Sequence, residues 1–191
     1  MLPEYETIAT GRNYSLFEED INRNEQILNE QIGGSRVAVI GAAGSIGFSV
    51  VQNILKYQPK SIVLIDLNEN NLVEVVRELR SASCIQVPND FSALPIGLGS
   101  IECKRYFMES EPFDTILNLS AIKHVRTEKD IYCLMRMVDT NVLFLSEFIE
   151  YLPYVCRKFF SVSSDKATNP ANLMGASKMI MEKIMLLHSR S

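Results

Sequence analysis

Short apolar runs alternate along the chain with longer stretches of helical spacing. The runs fall at 37–40, 61–65, roughly 93–96, 114–119 and 158–162; the helical patterns fall at 45–57, 68–82, 128–150 and 173–188. Nearly unbroken apolar strands belong to sheets buried on both faces, because the helices that cross over between parallel strands cover each side. The alternation predicts an α/β fold, a doubly wound parallel sheet in the order 3-2-1-4-5. Pro88, Asn89, Asp90 and Ser92 place residues 88–94 in a loop leading into the third strand.

Ahead of the first strand, Ser15 and Glu18 stand three apart before Ile21, Ile27 and Leu28, which predicts a capping box and a helix ending near Gly33-Gly34. This helix lies outside the sheet and is free to pack on the domain or on a partner subunit. The chain so divides into an N-terminal helical extension, 1–34, and one α/β domain, 35–191. With 191 residues and 47% hydrophobic side chains there is enough material for one sizeable core.

A net charge of −4 leaves no basic surplus for nucleic acid, and no apolar segment is long enough to span a bilayer. The opening Met-Leu-Pro-Glu-Tyr-Glu has neither the positive nor the apolar region of a signal peptide. Cys84, Cys103, Cys133 and Cys156 include no Cys-x-x-Cys and read as reduced, buried thiols rather than metal ligands or disulfides, so a cytoplasmic protein with no metal is expected.

Chemistry concentrates at two places. The first is Gly41-Ala-Ala-Gly44-Ser-Ile-Gly47, where an apolar strand breaks into a glycine turn and then a helix. Such a turn offers backbone N–H groups and a helix N-terminus to a pyrophosphate, with glycines where side chains block approach. Asp66 closes the second strand nineteen residues after Gly47, near the offset of the acid that accepts from an adenosine ribose. It welcomes a free 2′-hydroxyl and repels a 2′-phosphate, and no arginine follows it, so NAD is expected rather than NADP.

The second place is Ser161-Val-Ser-Ser-Asp165-Lys166, followed by Asn169-Pro170 and Met174-Gly-Ala-Ser-Lys178. Here a carboxylate, an amine and hydroxyls sit at the carboxyl end of a strand, where open α/β sheets bind ligands. Lys178 follows Met174 by one helical turn, so both side chains share a face that looks back at the same cleft.

These motifs resemble the short-chain dehydrogenase/reductase superfamily, whose Tyr-x-x-x-Lys pair follows a Ser/Thr-bearing strand end; here Met174 holds the tyrosine position. Within it, Ser-Asp-Lys, Asn-Pro and Met-Gly-Ala-Ser-Lys are similar to the CapD-like nucleotide-sugar 4,6-dehydratases of bacterial polysaccharide biosynthesis, some of which carry methionine at that place. Asn118-Leu-Ser-Ala-Ile-Lys123-His124-Val125 resembles a further segment of that group, and the likeness runs from about residue 36 to the end.

The resemblance implies a Rossmann-type fold, NAD as cofactor and a UDP-sugar such as UDP-N-acetylglucosamine as substrate. It implies cofactor contacts from Gly41, Gly44, Ser45, Ile46, Gly47, Asp66, Ala121 and Lys178, and substrate contacts from Lys123, His124 and Asn172. Lys166 becomes the base at sugar C5, Asp165 the acid for the departing 6-hydroxyl, Ser164 the strand-end hydroxyl, and Lys178 the charged anchor of the nicotinamide ribose. Met174 is left to fill space, and Asn141 to support the site. A base lysine must be neutral, which burial favours.

Gly97 stands where relatives carry an aspartate that reads adenine, so cofactor affinity is expected to be lowered. Relatives continue for a further hundred or more residues that complete the sugar pocket, so the chain by itself is expected to bind cofactor weakly and dehydrate nothing. A homo-oligomer is expected. Two other readings stay open: an NAD-dependent nucleotide-sugar epimerase or reductase, and a truncated dinucleotide-binding module without turnover.

Overall fold

The computed structural model describes residues 4–83, 85–122 and 130–189. Two helices, α1 (Glu4–Thr10) and α2 (Glu18–Ile32), precede the sheet, followed by β1 (Arg36–Ile40), α3 (Ser45–Leu55), β2 (Ser61–Ile65), α4 (Glu69–Ser81) and β3 (Asp90–Leu94). Then come α5 (Ile101–Glu109), β4 (Phe113–Asn118), α6 (Ile131–Val138), α7 (Phe144–Val155), β5 (Cys156–Ser161) and α8 (Leu173–His188). The five strands form one sheet in the order β3-β2-β1-β4-β5, with every pairing parallel. This is the architecture and strand order read from the sequence.

Each central strand is buried on both faces, so its alternate side chains feed two cores. Ala38, Ile40, Val63, Ile65 and Ile116 face a core with Cys103 and Phe107 of α5 and with Leu145 and Phe148 of α7. Val37, Val39, Ile62 and Leu64 face the other, with Val51 of α3 and Leu72 and Leu79 of α4. At the amino edge, the Arg36 guanidinium reaches Asp90 at 3.2 Å and lies 5.3 Å from the Phe113 ring centroid. The backbone N–H of Arg36 donates to Asp114 at 2.9 Å. One residue thus ties the starts of β1, β3 and β4 together, leaving the carboxyl ends open for a ligand.

Four local expectations need correction. Residues 90–94 are strand rather than loop, because each pairs in register with β2, from Ser61↔Asp90 to Ile65↔Leu94. Phe91 and Ala93 also pack on one core and Leu94 on the other, so the ladder overrides the turn-forming composition. The helix α5 was missed although its signals are present: Ser100 accepts from the N–H of Cys103, and Cys103 and Phe107 are buried one turn apart. The Ser15–Glu18 capping box does not form; Ser15 Oγ accepts from Phe17 N–H, and Phe17 occupies the N-cap of α2. Finally, the helical pattern at 128–150 extends to Val155 and contains a π-helical turn, Asp139–Leu143, between α6 and α7.

Candidate functional site

A cleft of about 740 Å³ opens along the carboxyl ends of the strands, reached by Ile40, Asp66, Ile96, Leu119 and Val162. It brings together most of the residues singled out in the sequence: Gly41, Gly44, Ser45, Ile46, Gly47, Asp66, Ala121, Ser164, Lys166, Met174 and Lys178 all line it. Asp165 is exposed and outside the lining, in a single 3-10 turn, Asp165–Ala167. Lys123 and His124 lie outside the described residues.

The glycine turn shows why its three glycines differ. Gly41 has φ +82°, and a Cβ there would stand 2.6 Å from the backbone nitrogen of Ser120. At Gly47 a Cβ would collide with the carbonyl oxygen of Gly41, so the first turn of α3 packs directly on the turn it follows. Gly44 is under neither constraint: its φ is −76°, and the nearest atom to a Cβ would be 3.5 Å away. Packing does not explain a glycine at this N-cap, whereas a ligand approaching the backbone does. No side chain caps α3, so its first N–H groups remain available to an anion.

Asp66 is fixed by the backbone around it. One carboxylate oxygen accepts from Ala43 N–H at 3.0 Å and the other from Asn68 N–H at 2.9 Å. This ties the end of β2 to the glycine turn, and each oxygen keeps a lone pair for a ribose hydroxyl.

The opposite wall depends on α8. Asn172 caps the helix, accepting from Gly175 N–H at 2.8 Å, and does not line the cleft. Gly175 lets the Asp165–Ala167 turn lie against the helix, since a Cβ there would stand 2.6 Å from the carbonyl oxygen of Lys166. The Lys166 side chain is exposed, so the chain's own packing does not supply the burial expected around a neutral base. Met174 is buried at 3% exposure.

Lys178 is buried as well, 5% exposed, and its ammonium donates to the carbonyl of Val162 at 2.9 Å. Burial pushes its pKa down from 10.5 to about 8, against an opposing pull from the Glu182 carboxylate. At pH 7 the amine therefore keeps its charge, at a cost in stability of roughly 3 kcal/mol. Since the folded pKa is depressed, that cost is fully present below pH 8 and fades as pH rises toward 10.5, where the unfolded chain also loses its proton. Lys178→Met removes the buried charge and forfeits a hydrogen bond of about 1 kcal/mol. The variant is expected to be more stable than the parent by about 2 kcal/mol below pH 8, with the gap narrowing between pH 8 and 10.5. Urea unfolding of both proteins across that range checks it; a gap independent of pH would remove burial of the charge as the cause.

One contributor was anticipated and several were not. Asn141, on the π-helical turn, accepts from Ile122 N–H and donates to the Ile122 carbonyl, both at 3.0 Å, and its amide also donates to Ser177 Oγ. It joins the segment after β4 to α8, which is the support expected of it, while Ser177 was missed. Ser163 and Thr140 also line the cleft, each with a buried hydroxyl that has no partner among the described residues. Arg136 and Phe144 complete that wall.

The profile of the family described as polysaccharide biosynthesis protein matches residues 37–191. The chain belongs to this family. A relative from Methanocaldococcus jannaschii, described as an uncharacterized membrane protein, is 33% identical over 152 residues, 78% of this chain and 42% of its own length. A UDP-N-acetylglucosamine 4,6-dehydratase (inverting) of Campylobacter jejuni is 24% identical over 156 residues, 80% of this chain and 43% of its own. Among solved structures, Pen from Bacillus thuringiensis superposes with a TM-score of 0.72 at 25% identity, covering 84% of this chain and 46% of that one. The chain spans less than half the length of these family relatives. No described helix is long and apolar enough to cross a membrane.

Proposed function

We propose that the chain is the nucleotide-binding and proton-transfer portion of an NAD-dependent nucleotide-sugar 4,6-dehydratase. The observation that carries this reading is the meeting, in one cleft, of the glycine turn and Asp66 with Lys166 and Lys178, while the position between them is a methionine that can do no proton chemistry. The residues fit a dinucleotide: Gly44 leaves room at an uncapped helix N-terminus, and Asp66 offers acceptors to a ribose. Bound there, NAD would supply the acceptor for the hydride that leaves C4 of the sugar and the donor that returns it to C6 once water has left.

The chain's own residues handle the protons and the positioning. A 4-keto group acidifies the C5 hydrogen, and the Lys166 amine takes that proton and gives one back to C5 when hydride arrives at C6. By resemblance Asp165, one residue before it on the same turn but exposed and outside the cleft lining, is assigned the proton that the 6-hydroxyl takes as it leaves as water. Ser164 supplies a hydroxyl to the same cleft, and the Lys178 ammonium anchors the nicotinamide ribose. Met174 closes the space beside them. The substrate class is a UDP-sugar.

A graft tests this. Residues 37–191 replace the matching segment of the Campylobacter jejuni dehydratase, and the purified protein receives UDP-N-acetylglucosamine. It is expected to bind NAD in preference to NADP and to release a product lighter by one water. A product of unchanged mass would replace the reading with epimerisation, and NAD binding without any product would reduce it to a binding module.

A further inference from the structure

The base end of the cleft is built without an acidic reader. Its walls are Leu67 and the Gly97–Gly99 loop on one side and Arg136, Thr140 and Phe144 on the other. These walls are contiguous: a Cβ at Gly97 would stand 2.8 Å from Leu67, one at Gly99 would collide with the Phe144 ring, and the Arg136 guanidinium carbon lies 5.4 Å from that ring's centroid. Arg136, Thr140 and Phe144 follow at four-residue intervals and all reach the cleft. Nearby acceptors each carry one backbone bond already, and the lone pairs left on Asp66 serve the ribose. Both oxygens of Asp66 accept from backbone N–H groups, Ser100 Oγ accepts from Cys103, and the Gly97 carbonyl accepts from Ser100 N–H. What remains is the Thr140 hydroxyl, buried and unpartnered among the described residues, and the Arg136 guanidinium, which has no ion pair among them.

A 6-aminopurine shows a donor at position 6 beside the N7 acceptor, and a 6-oxopurine shows two acceptors, which is the pattern an arginine fork meets with both of its N–H groups. A hydroxyl accepts from the amine or donates to the oxo group with equal ease. A carboxylate would prefer the amine; the one in this cleft, Asp66, is tied to the glycine turn and serves the ribose.

We propose that this site does not select adenine, and that it takes a 6-oxopurine dinucleotide within about fivefold of its affinity for NAD, with Arg136 the residue that favours the oxo group. The inference rests on the proposed dinucleotide role of the cleft. Calorimetric titration of the 191-residue chain with NAD and with nicotinamide hypoxanthine dinucleotide tests it. The hypoxanthine dinucleotide is expected to bind no more than fivefold more weakly than NAD. Arg136→Ala is expected to weaken it about tenfold while changing NAD less than threefold, with unfolding unchanged because the side chain is exposed. A preference for NAD greater than fivefold, or an equal loss for both ligands in Arg136→Ala, overturns the inference and leaves the cofactor role standing. Failure of both dinucleotides to bind overturns the cofactor role itself, and the inference with it.

Discussion

In the grafted dehydratase, Lys166→Ala is expected to lower product formation at least a hundredfold while leaving NAD affinity within about twofold. A positioned general base contributes about 10²–10⁴ in rate, and alanine has no group to replace the amine. Binding is expected to survive because the contacts proposed for the dinucleotide lie on the other elements: Gly44 at the start of α3, Asp66 after β2 and Lys178 on α8. The turn itself should persist. It is held by the backbone bonds Ala167 N–H to Ser164 and Thr168 N–H to Asp165, each 3.1 Å, and by its contact with Gly175, none of which uses the lysine side chain. Loss of solvent deuterium at C5, read by mass spectrometry, separates the base from a binding role. If Lys166→Ala turns over normally, the base is another group and the assignment of the Asp165–Lys166 turn fails.

The elements that the sequence reveals best are those whose burial is symmetric. β2 is buried at every position, and its short, mostly β-branched run of Ile62, Val63, Leu64 and Ile65 reads as a central strand. β3, on the sheet edge and only half-buried, carries Asp90 and Ser92 among its five residues and looks like a loop until β2 pairs with it. The same division holds at the site. The glycine turn is legible because its parts are adjacent in the chain and answer to local rules. Asn141 bonds to residues nineteen and thirty-six positions away, and only the fold puts Ile122 and Ser177 beside it. The depressed basicity of Lys178 was likewise hidden, because it follows from how α8 seats against Val162 rather than from any neighbour in sequence. Gly97 could be read as a missing acid; the Thr140 hydroxyl and Arg136 that stand across from it could not.

Gly47→Ala and Gly44→Ala form a pair expected to separate fold from binding. In a helix interior alanine is preferred to glycine by about 1 kcal/mol, so propensity alone would favour the change at Gly47; Gly44 is the N-cap, where glycine is preferred to alanine. At Gly47 the added methyl meets backbone, the Gly41 carbonyl and the Ala42 Cα, which cannot rotate away as a side chain would. Nor can the turn retreat, because Gly41 already lies against Ser120 with a positive φ. The start of α3 must move off β1, at about 3 kcal/mol of overpacking, and the N–H groups that would meet a pyrophosphate move with it. Gly47→Ala is therefore expected to melt roughly 5–10 °C below the parent and to show no measurable NAD binding. At Gly44 the methyl makes only an ordinary contact and the cost is that of alanine at an N-cap, so Gly44→Ala should melt within a few degrees of the parent yet bind NAD at least tenfold more weakly, because the methyl occupies space the phosphates need. Differential scanning fluorimetry with and without NAD reads both quantities. Normal NAD affinity in Gly44→Ala would mean that the phosphates do not approach this turn, and the cleft would lose its strongest claim to a dinucleotide.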